Sequence, residues 1–467
     1  MRVLLAYCIL LWFLSSTHGS DPSTAPVRRI AFGSCANQNK PQPIWDSIVG
    51  LKPDLFLFLG DNIYADTNDM EVMKRKYELF GANPGFQQLK QTCKILATWD
   101  DHDYGKNDAG YEYGPKKESQ KLFLDFFGVA DDSPRRQQDG VYHSETFGPP
   151  GQRVQIIMLD TRTFRSPLKK KDSKPASGEG PYISDDSEDC EMLGEAQWKW
   201  LEEQLQQPAD IRIVGSSIQV LAQDHGWEKW HNHSKQREKL FQLIESTQAK
   251  GVIFLSGDRH LAELSMMPKA VSYPLYDLTS SGLTEAFKRF RPLEVNQHRV
   301  ATMNWGNNFG FITIDWYASD PVIRLQIRDE AGEVTIQQKV LLSTINPTRR
   351  LPDSSSSISA EPEKTSPGTI NTVEAAQKVG EEVTVEFRVQ ATGGSGSRIF
   401  LNSLADFRDS RNFTVVLEKG YLTKTKDIED HREFFKGKKI QVKGKVETYR
   451  DAPQIKVTDP EQIKLAP

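Results

Sequence analysis

Several short apolar runs in this chain end in residues able to hold a cation or move a proton. RRIAFGSC ends in Cys35, and PDLFLFLGD ends in Asp61 with Tyr64 three positions on. KILATWDDHD supplies Asp100, Asp101, His102 and Asp103, with Asn107 and Asp108 just beyond. RVQIIMLDTR closes on Asp160 and Arg162, and KGVIFLSGDRH on Asp258 and His260. In open α/β sheets the ligand crevice lies beyond the carboxyl ends of the strands. Five runs that all close on Asp, His, Cys or Arg therefore imply one shared site.

Carboxylates gathered in that way repel one another and raise each other's pKa values unless a cation sits between them. Hard divalent or trivalent ions with oxygen ligands supply the missing charge. One Asp bridging two ions, with others flanking, is the arrangement of two-metal hydrolysis. The thiolate of Cys35 and the phenolate of Tyr64 are strong anionic donors that suit a ferric ion, Fe3+. Asp and Asn oxygens suit a harder second ion such as calcium, Ca2+. Each residue also has a plainer reading. Cys35 could be an inert buried thiol, Tyr64 a core aromatic with a bonded hydroxyl, and Arg162 the partner of Asp160. His260 alone would be a structural imidazole, but Asp258 two residues before it favours a ligand. Asp100 and Asp103 alternate away from Asp101 and are expected to cap a helix or solvate a loop.

The elements that position these residues follow from patterning. Continuous apolar runs of four to seven residues fit strands covered on both faces. Between them PQPIWDSIVG, SQKLFLDFFG, EAQWKWLEEQLQQ and KQREKLFQLIESTQAKG read as helices, with Trp198, Leu201 and Leu205 at helical spacing and Gly251 as a stop. The expected class over residues 28–342 is α/β or α+β, with layered helices. Residues 343–371 shift to Ser, Pro and charge, too polar to offset the entropy of ordering, and read as a disordered linker. Over 374–467, five or so short alternating strands suggest a small β-barrel of the OB kind. That stretch holds seventeen Lys and Arg against fifteen acids, with Lys436, Lys438, Lys439, Lys443 and Lys445 clustered. Alternating lysines mark a solvated strand face, so a docking or substrate-presenting module is favoured over a nucleic-acid binder.

Over the whole 467 residues, 59 Lys and Arg against 63 Asp and Glu give a net charge of −4. That balance excludes a generally basic nucleic-acid binder and a supercharged acidic protein. Residues 1–19 have the layout of a secretory signal peptide, with cleavage after Gly19, an uncleaved anchor being the alternative. No later stretch is long and apolar enough to span a bilayer. The expected location is secreted or extracellular, with periplasm or endomembrane lumen as variants. Export leaves Cys35, Cys93 and Cys190, an odd number. Cys93–Cys190 is the expected pair, because Cys35 belongs to a chemical motif. Asn232-His-Ser and Asn412-Phe-Thr are glycosylation acceptors in a eukaryotic host. QDHGWEKWHNHS, with His225, His231 and His233, reads as a substrate-facing lid or a solvated surface. NWGNNFG from Asn304 to Gly310 could shape a rim or merely turn the chain.

At GSC, GDNIY, WDDHD and GDRH the sequence resembles the PhoD-like alkaline phosphatase and phosphodiesterase family of the metallophosphatase superfamily. The motifs stand in the family's order at comparable spacing over about residues 28–342. The resemblance implies a four-layer αββα metallophosphatase sandwich with an iron-plus-calcium centre that activates water for attack on phosphate esters. Carried over, it puts Cys35, Asp61 and Tyr64 on the iron side, with Asp61 bridging to the second ion. Asp101, Asp258 and His260 complete the cluster, and Asn107 is a further candidate ligand. Arg162 would clamp a phosphate oxygen, and His102 would either protonate the leaving oxygen or orient a ligand. Many members carry a distinct domain before the GSC strand, whereas here an OB-like domain follows. The expected function is a secreted metal-dependent phosphoesterase. The alternatives are an extracellular nuclease whose OB-like domain holds single strands, and a non-catalytic binding protein on the same scaffold.

Overall fold

The computed structural model describes residues 25–176, 179–316, 318–348, 365–404, 412–428, 430–449 and 452–466. The leader at 1–19 and positions 349–364 of the expected linker lie outside the described residues. Among the described residues no helix is long and apolar enough to cross a membrane. The chain divides into two compact units, Met1–Thr313 with Arg324–Gln338, and Ile314–Ile323 with Lys339–Pro467.

In chain order the first strands are β1 (Arg29–Gly33), β2 (Leu55–Leu59), β3 (Lys94–Thr98), β4 (His143–Phe147), β5 (Val154–Met158), β6 (Ile211–Gly215) and β7 (Val252–Ser256). They continue as β8 (Ala262–Met267), β9 (Leu275–Ser280), β10 (Arg299–Met303), β11 (Asn308–Asp315), β12 (Val322–Asp329) and β13 (Val334–Leu341). One sheet has the order β13-β12-β11-β1-β2-β3, and the other β10-β8-β9-β7-β6-β5-β4. β1, β2 and β3 run parallel, as do β5, β6, β7 and β9. The strands that carry chemistry at their ends therefore all release their chains in a common direction within each sheet.

Both faces of these strands are covered, which is why they read as unbroken apolar runs. On β2, Phe56 and Phe58 point to a helical layer holding Trp45, Phe80, Phe86 and Phe123. The Trp45 and Phe56 rings meet edge to face at 5.6 Å, and Phe80 and Phe86 lie 4.6 Å apart. Each such buried aromatic contributes roughly 2–3 kcal/mol of transfer free energy. Leu59, on the other face of β2, meets the second sheet, where a Cβ on Gly215 would lie 3.1 Å from its Cδ2. A small residue there lets the two sheets close on each other. The helices Gly194–Leu205 and Ser234–Ser246 cover the far side with Trp198, Leu201, Leu205, Leu240 and Ile244 buried. The result is the four-layer αββα sandwich.

The C-terminal strands are β14 (Glu382–Arg388), β15 (Ala391–Ser395), β16 (Arg398–Asn402), β17 (Thr414–Glu418), β18 (Lys439–Tyr449), β19 (Ala452–Val457) and β20 (Ile463–Leu465). They form one sheet in the order β14-β18-β19-β17-β16-β15, with β20 on β18, around a separate core that includes Val385, Leu401, Val415, Val442 and Ile455.

Three expectations are corrected. Cys93 and Cys190 are both free thiols: Cys93 closes a helix with its Sγ 3.8 Å from the Leu89 carbonyl, and Cys190 lies 3.2 Å from the Ser187 hydroxyl. Asn232 and Asn412 are fully buried, so neither sequon offers its amide to a glycosyl donor. Asn232 accepts from the Lys229 amide, and Asn412 donates to Asn402 and Thr414. The QDHGWEKWHNHS segment is packed interior, not a lid: Glu228, Lys229, Trp230 and His233 are all buried, and the Trp230 indole donates to Ser216. Trp230, His225 and His233 are enclosed, while Trp227 and His231 are half-buried.

Candidate metal centre

Each strand end turns sharply as it delivers its side chain. Gly60, directly after β2, has φ +97°, and a Cβ there would lie 2.4 Å from the Asp100 Cβ. Only glycine lets the β2 and β3 exits approach so closely. The next residue, Asp61, is itself left-handed at φ 50°, as are Cys35 at 62°, Asp258 at 68° and His260 at 55°. A non-glycine residue in that region costs about 1–2 kcal/mol. Eight such residues occur among the described ones; four are candidate ligands, and Asp66 and Asp108 border them. Strain concentrated in this way marks a place where position matters more than local comfort.

The cluster these turns build is dense. The Cys35 thiol lies 3.3 Å from Asp61 Oδ2 and 3.2 Å from the Ser281 hydroxyl. The Tyr64 hydroxyl stands 3.5 Å from that same Asp61 oxygen and 3.2 Å from His260 Nε2. Asp61 Oδ1 faces the other way and accepts from the His102 amide at 3.4 Å. Donor atoms of Cys35, Asp61 and His260 lie within 4.8 Å of one another, as do those of Asp61, Asp101 and His102, and those of Asp100, Asp101 and Asp258. Asp61 thus belongs to two neighbouring groups through its two oxygens, and Asp101 joins the second to the third.

Electrostatics show what the cluster lacks. Burial, then the neighbouring Cys35 and Asp101, raise the Asp61 carboxyl well above the usual range. Burial with Asp100 and Asp101 does the same to Asp258. Burial pushes Asp100 up to about 8 and the Cys35 thiol up to about 12. Asp101 is the exception: burial opposes ionisation, yet Arg162 and His102 hold it at about 2. Burial alone would lower His102, but Asp61, Asp66 and Asp101 drive it up to about 11. Burial takes His260 down to about 4, which keeps the imidazole neutral and able to coordinate. Three buried carboxylates, Asp61, Asp100 and Asp101, together with the half-buried Asp258, thus face too few cations, and one oxygen, Asp100 Oδ2, is buried without a hydrogen-bond partner. A donor set of thiol, phenol, imidazole and carboxylate with a deficit of positive charge fits bound metal ions.

Arg162 lies elsewhere than expected. Its side chain is fully buried, with Nε donating to Asp100 Oδ1 at 2.6 Å and Nη1 to Glu228 at 2.8 Å. Arg165 reaches the same Glu228 at 3.0 Å. Enclosed between two carboxylates, Arg162 has no face left for a phosphate, and it serves as the counter-ion that anchors Asp100. Asp160 accepts from its backbone amide, not its guanidinium. Asn107 is exposed; the amide buried at the site is Asn62, which donates to Thr98 and Asp103. Asp103 caps as expected, accepting from the Asp100 amide at 2.7 Å, whereas Asp100 joins the cluster. Asp66 had no signal beyond its proximity in DNIYAD, yet both its oxygens meet His102 Nδ1, at 2.7 and 2.9 Å. Glu228 stands in the QDHGWEKWHNHS segment, where nothing in its spacing marks it as the acid that meets Arg162 and Arg165. A cavity of about 410 Å³ lined by Tyr111, Lys116, Thr163 and Glu191 shares no residue with the cluster.

No curated protein matches the chain. A solved structure of PhoD is similar at TM-score 0.55 with 16% identity, over 69% of this chain and 70% of that one. A dimetal phosphatase from Danio rerio is similar at TM-score 0.43 with 13% identity, over 68% of this chain and 100% of that one. The family model of the PhoD-like phosphatases matches residues 30–287. A match over more than half of the sequence, running from β1 past β9, means that the chain belongs to the PhoD-like phosphatase family and is a metal-dependent hydrolase of phosphate esters.

Proposed function

We propose that the protein hydrolyses phosphate esters outside the cytoplasm, with two ions held by Cys35, Asp61, Tyr64, Asp101, Asp258 and His260. The observation that carries this reading is Asp61, whose two oxygens face two neighbouring donor groups. Cys35 and Tyr64 meet at Oδ2, with His260 beside the Tyr64 hydroxyl, and suit a ferric ion; Asp101 and Asp258 offer hard oxygens suited to calcium. When bound, such ions polarise phosphoryl oxygens and lower the pKa of water. Export is supported by the leader-like sequence at 1–19. An OB-like role for the C-terminal sheet in presenting substrate rests on its short alternating strands.

The chain's own contribution is clearest at His102. Asp66 holds Nδ1, and the ring lies on Tyr64 at 4.2 Å, so its plane is set. The ring shares a donor group with Asp61 and Asp101, and with Nδ1 engaged by Asp66 its other nitrogen would protonate a departing oxygen or bind a phosphoryl oxygen. A general acid matters most when the leaving group is a poor one. His102→Gln is expected to slow hydrolysis of an alkyl phosphate by about 10²-fold or more, and of a nitrophenyl phosphate far less. Equal losses on both substrates would assign His102 to positioning alone.

The reading as a whole is tested by hydrolysis of an aryl phosphate by purified protein, with the chelator-treated enzyme inactive and activity restored by metal. Chelator-resistant turnover, or none with any metal, would overturn it. Elemental analysis separates the metal assignment from the activity. A visible charge-transfer band lost in Cys35→Ala or Tyr64→Phe is the expected signature of ferric iron, and a colourless, iron-free, active enzyme would refute it.

A further inference from the structure

Of the fifteen large apolar side chains exposed among the described residues, five fall between positions 290 and 305. Phe290 is 69% exposed, Leu293 54%, Val295 72% and Trp305 53%, and Val300 completes the set. Val300 sits at a register shift in β10, the edge strand of its sheet. Three exposed cations, Lys288, Arg289 and Arg291, are interleaved with them.

This segment is held at its base, so its exposure is not fraying. Glu294 pairs with Arg259 at 2.6 Å, and Asn296 donates to Glu263 at 2.6 Å. The Gly306 amide donates to the Phe287 carbonyl at 2.7 Å, bringing Trp305 beside the segment. The base is also the wall of the candidate centre. The Phe287 amide donates to the His260 carbonyl at 3.1 Å, its ring meets the His260 ring edge-on at 6.0 Å, and Arg291 stacks on Phe287 at 3.8 Å. Arg259, which receives Glu294, lies between Asp258 and His260 in sequence.

A rim of Phe, Leu, Val and Trp interleaved with Lys and Arg matches the interface of an anionic bilayer. Aromatic and aliphatic side chains enter the headgroup boundary, while cations meet lipid phosphates. We propose that Lys288–Val295 with Trp305 docks the enzyme onto an anionic phospholipid surface, bringing headgroup phosphates to the centre beside His260. The substrate side of this proposal rests on the phosphoesterase reading; the docking itself does not.

The test uses the full chain and vesicles of phosphatidylcholine, alone or mixed with phosphatidylglycerol. The protein is expected to sediment with the anionic vesicles and to be released by salt. Neutralising two cations in Lys288→Gln/Arg289→Gln should weaken that binding about thirtyfold. Phe290→Ser/Leu293→Ser/Val295→Ser should weaken it at least about tenfold. Both variants should hydrolyse a soluble aryl phosphate as the parent does, which shows them folded. No sedimentation of the parent, equal sedimentation of parent and variants, or a concentration-dependent dimer abolished by the triple variant would overturn the docking. Sedimentation without hydrolysis of either soluble or vesicle ester would instead overturn the phosphoesterase reading and leave docking intact.

Discussion

Asp61→Asn is expected to lose hydrolysis of an aryl phosphate by at least about 1,000-fold in kcat/KM, a loss of roughly 4 kcal/mol of transition-state stabilisation. The argument rests on its two oxygens. Oδ2 is shared with Cys35 and Tyr64, and Oδ1 accepts from the His102 amide, while Asp61 also shares a donor group with Asp101. An amide keeps the shape but carries no charge, and its NH2 group would face one of the two groups with donors where a metal needs a lone pair. Both donor groups would be weakened by one change, so bound metal should fall along with activity. The fold should survive, because Asp61 is a buried carboxyl whose ionisation already opposes burial. Metal content by elemental analysis together with the rate decides the matter. A variant with full metal content and near-normal kcat/KM would remove Asp61 from the centre.

The second large effect concerns the metal-free protein and pH. Asp61, Asp100 and Asp258 all have folded-state pKa values raised above the ordinary carboxyl value, with Asp100 at about 8. A raised value means that the folded state binds protons the unfolded state has released. Their favourable contribution is complete below about pH 4 and falls as pH rises, that of Asp100 being lost toward about pH 8. Chelator-treated protein should therefore become less stable between pH 5 and pH 8, by about 3–5 kcal/mol, the cost of an uncompensated buried charge. Bound ions favour the ionised carboxylates, so the loaded protein should show little of this loss. Urea unfolding followed by indole fluorescence reports the relevant region, since the sequence from Glu374 onward contains no Trp. Parallel pH profiles with and without chelator would show that these carboxyls are compensated by the protein alone.

The sequence by itself determined the strand ends and what they carry. Apolar runs closing on Cys35, Asp61, Asp101, Asp258 and His260 are local patterns, because a buried parallel strand needs uninterrupted apolar residues and its exit needs a turn. The family followed from the order of those motifs, and the layered α/β class from the alternation of apolar runs with helical spacing. Tertiary structure alone decided who neutralises whom. Arg162 faces Glu228, 66 positions away, and not a phosphate; His102 faces Asp66, 36 positions away; Asp100 joins the cluster instead of only capping. The same holds for the two unbridged cysteines, the two buried sequon asparagines and the interior packing of QDHGWEKWHNHS. Secondary structure is written in spacing along the chain, but charge pairing and burial depend on which distant segments the two sheets press together. Spacing carries no record of those neighbours, since a Coulomb contact is set by distance through space and not by separation in sequence.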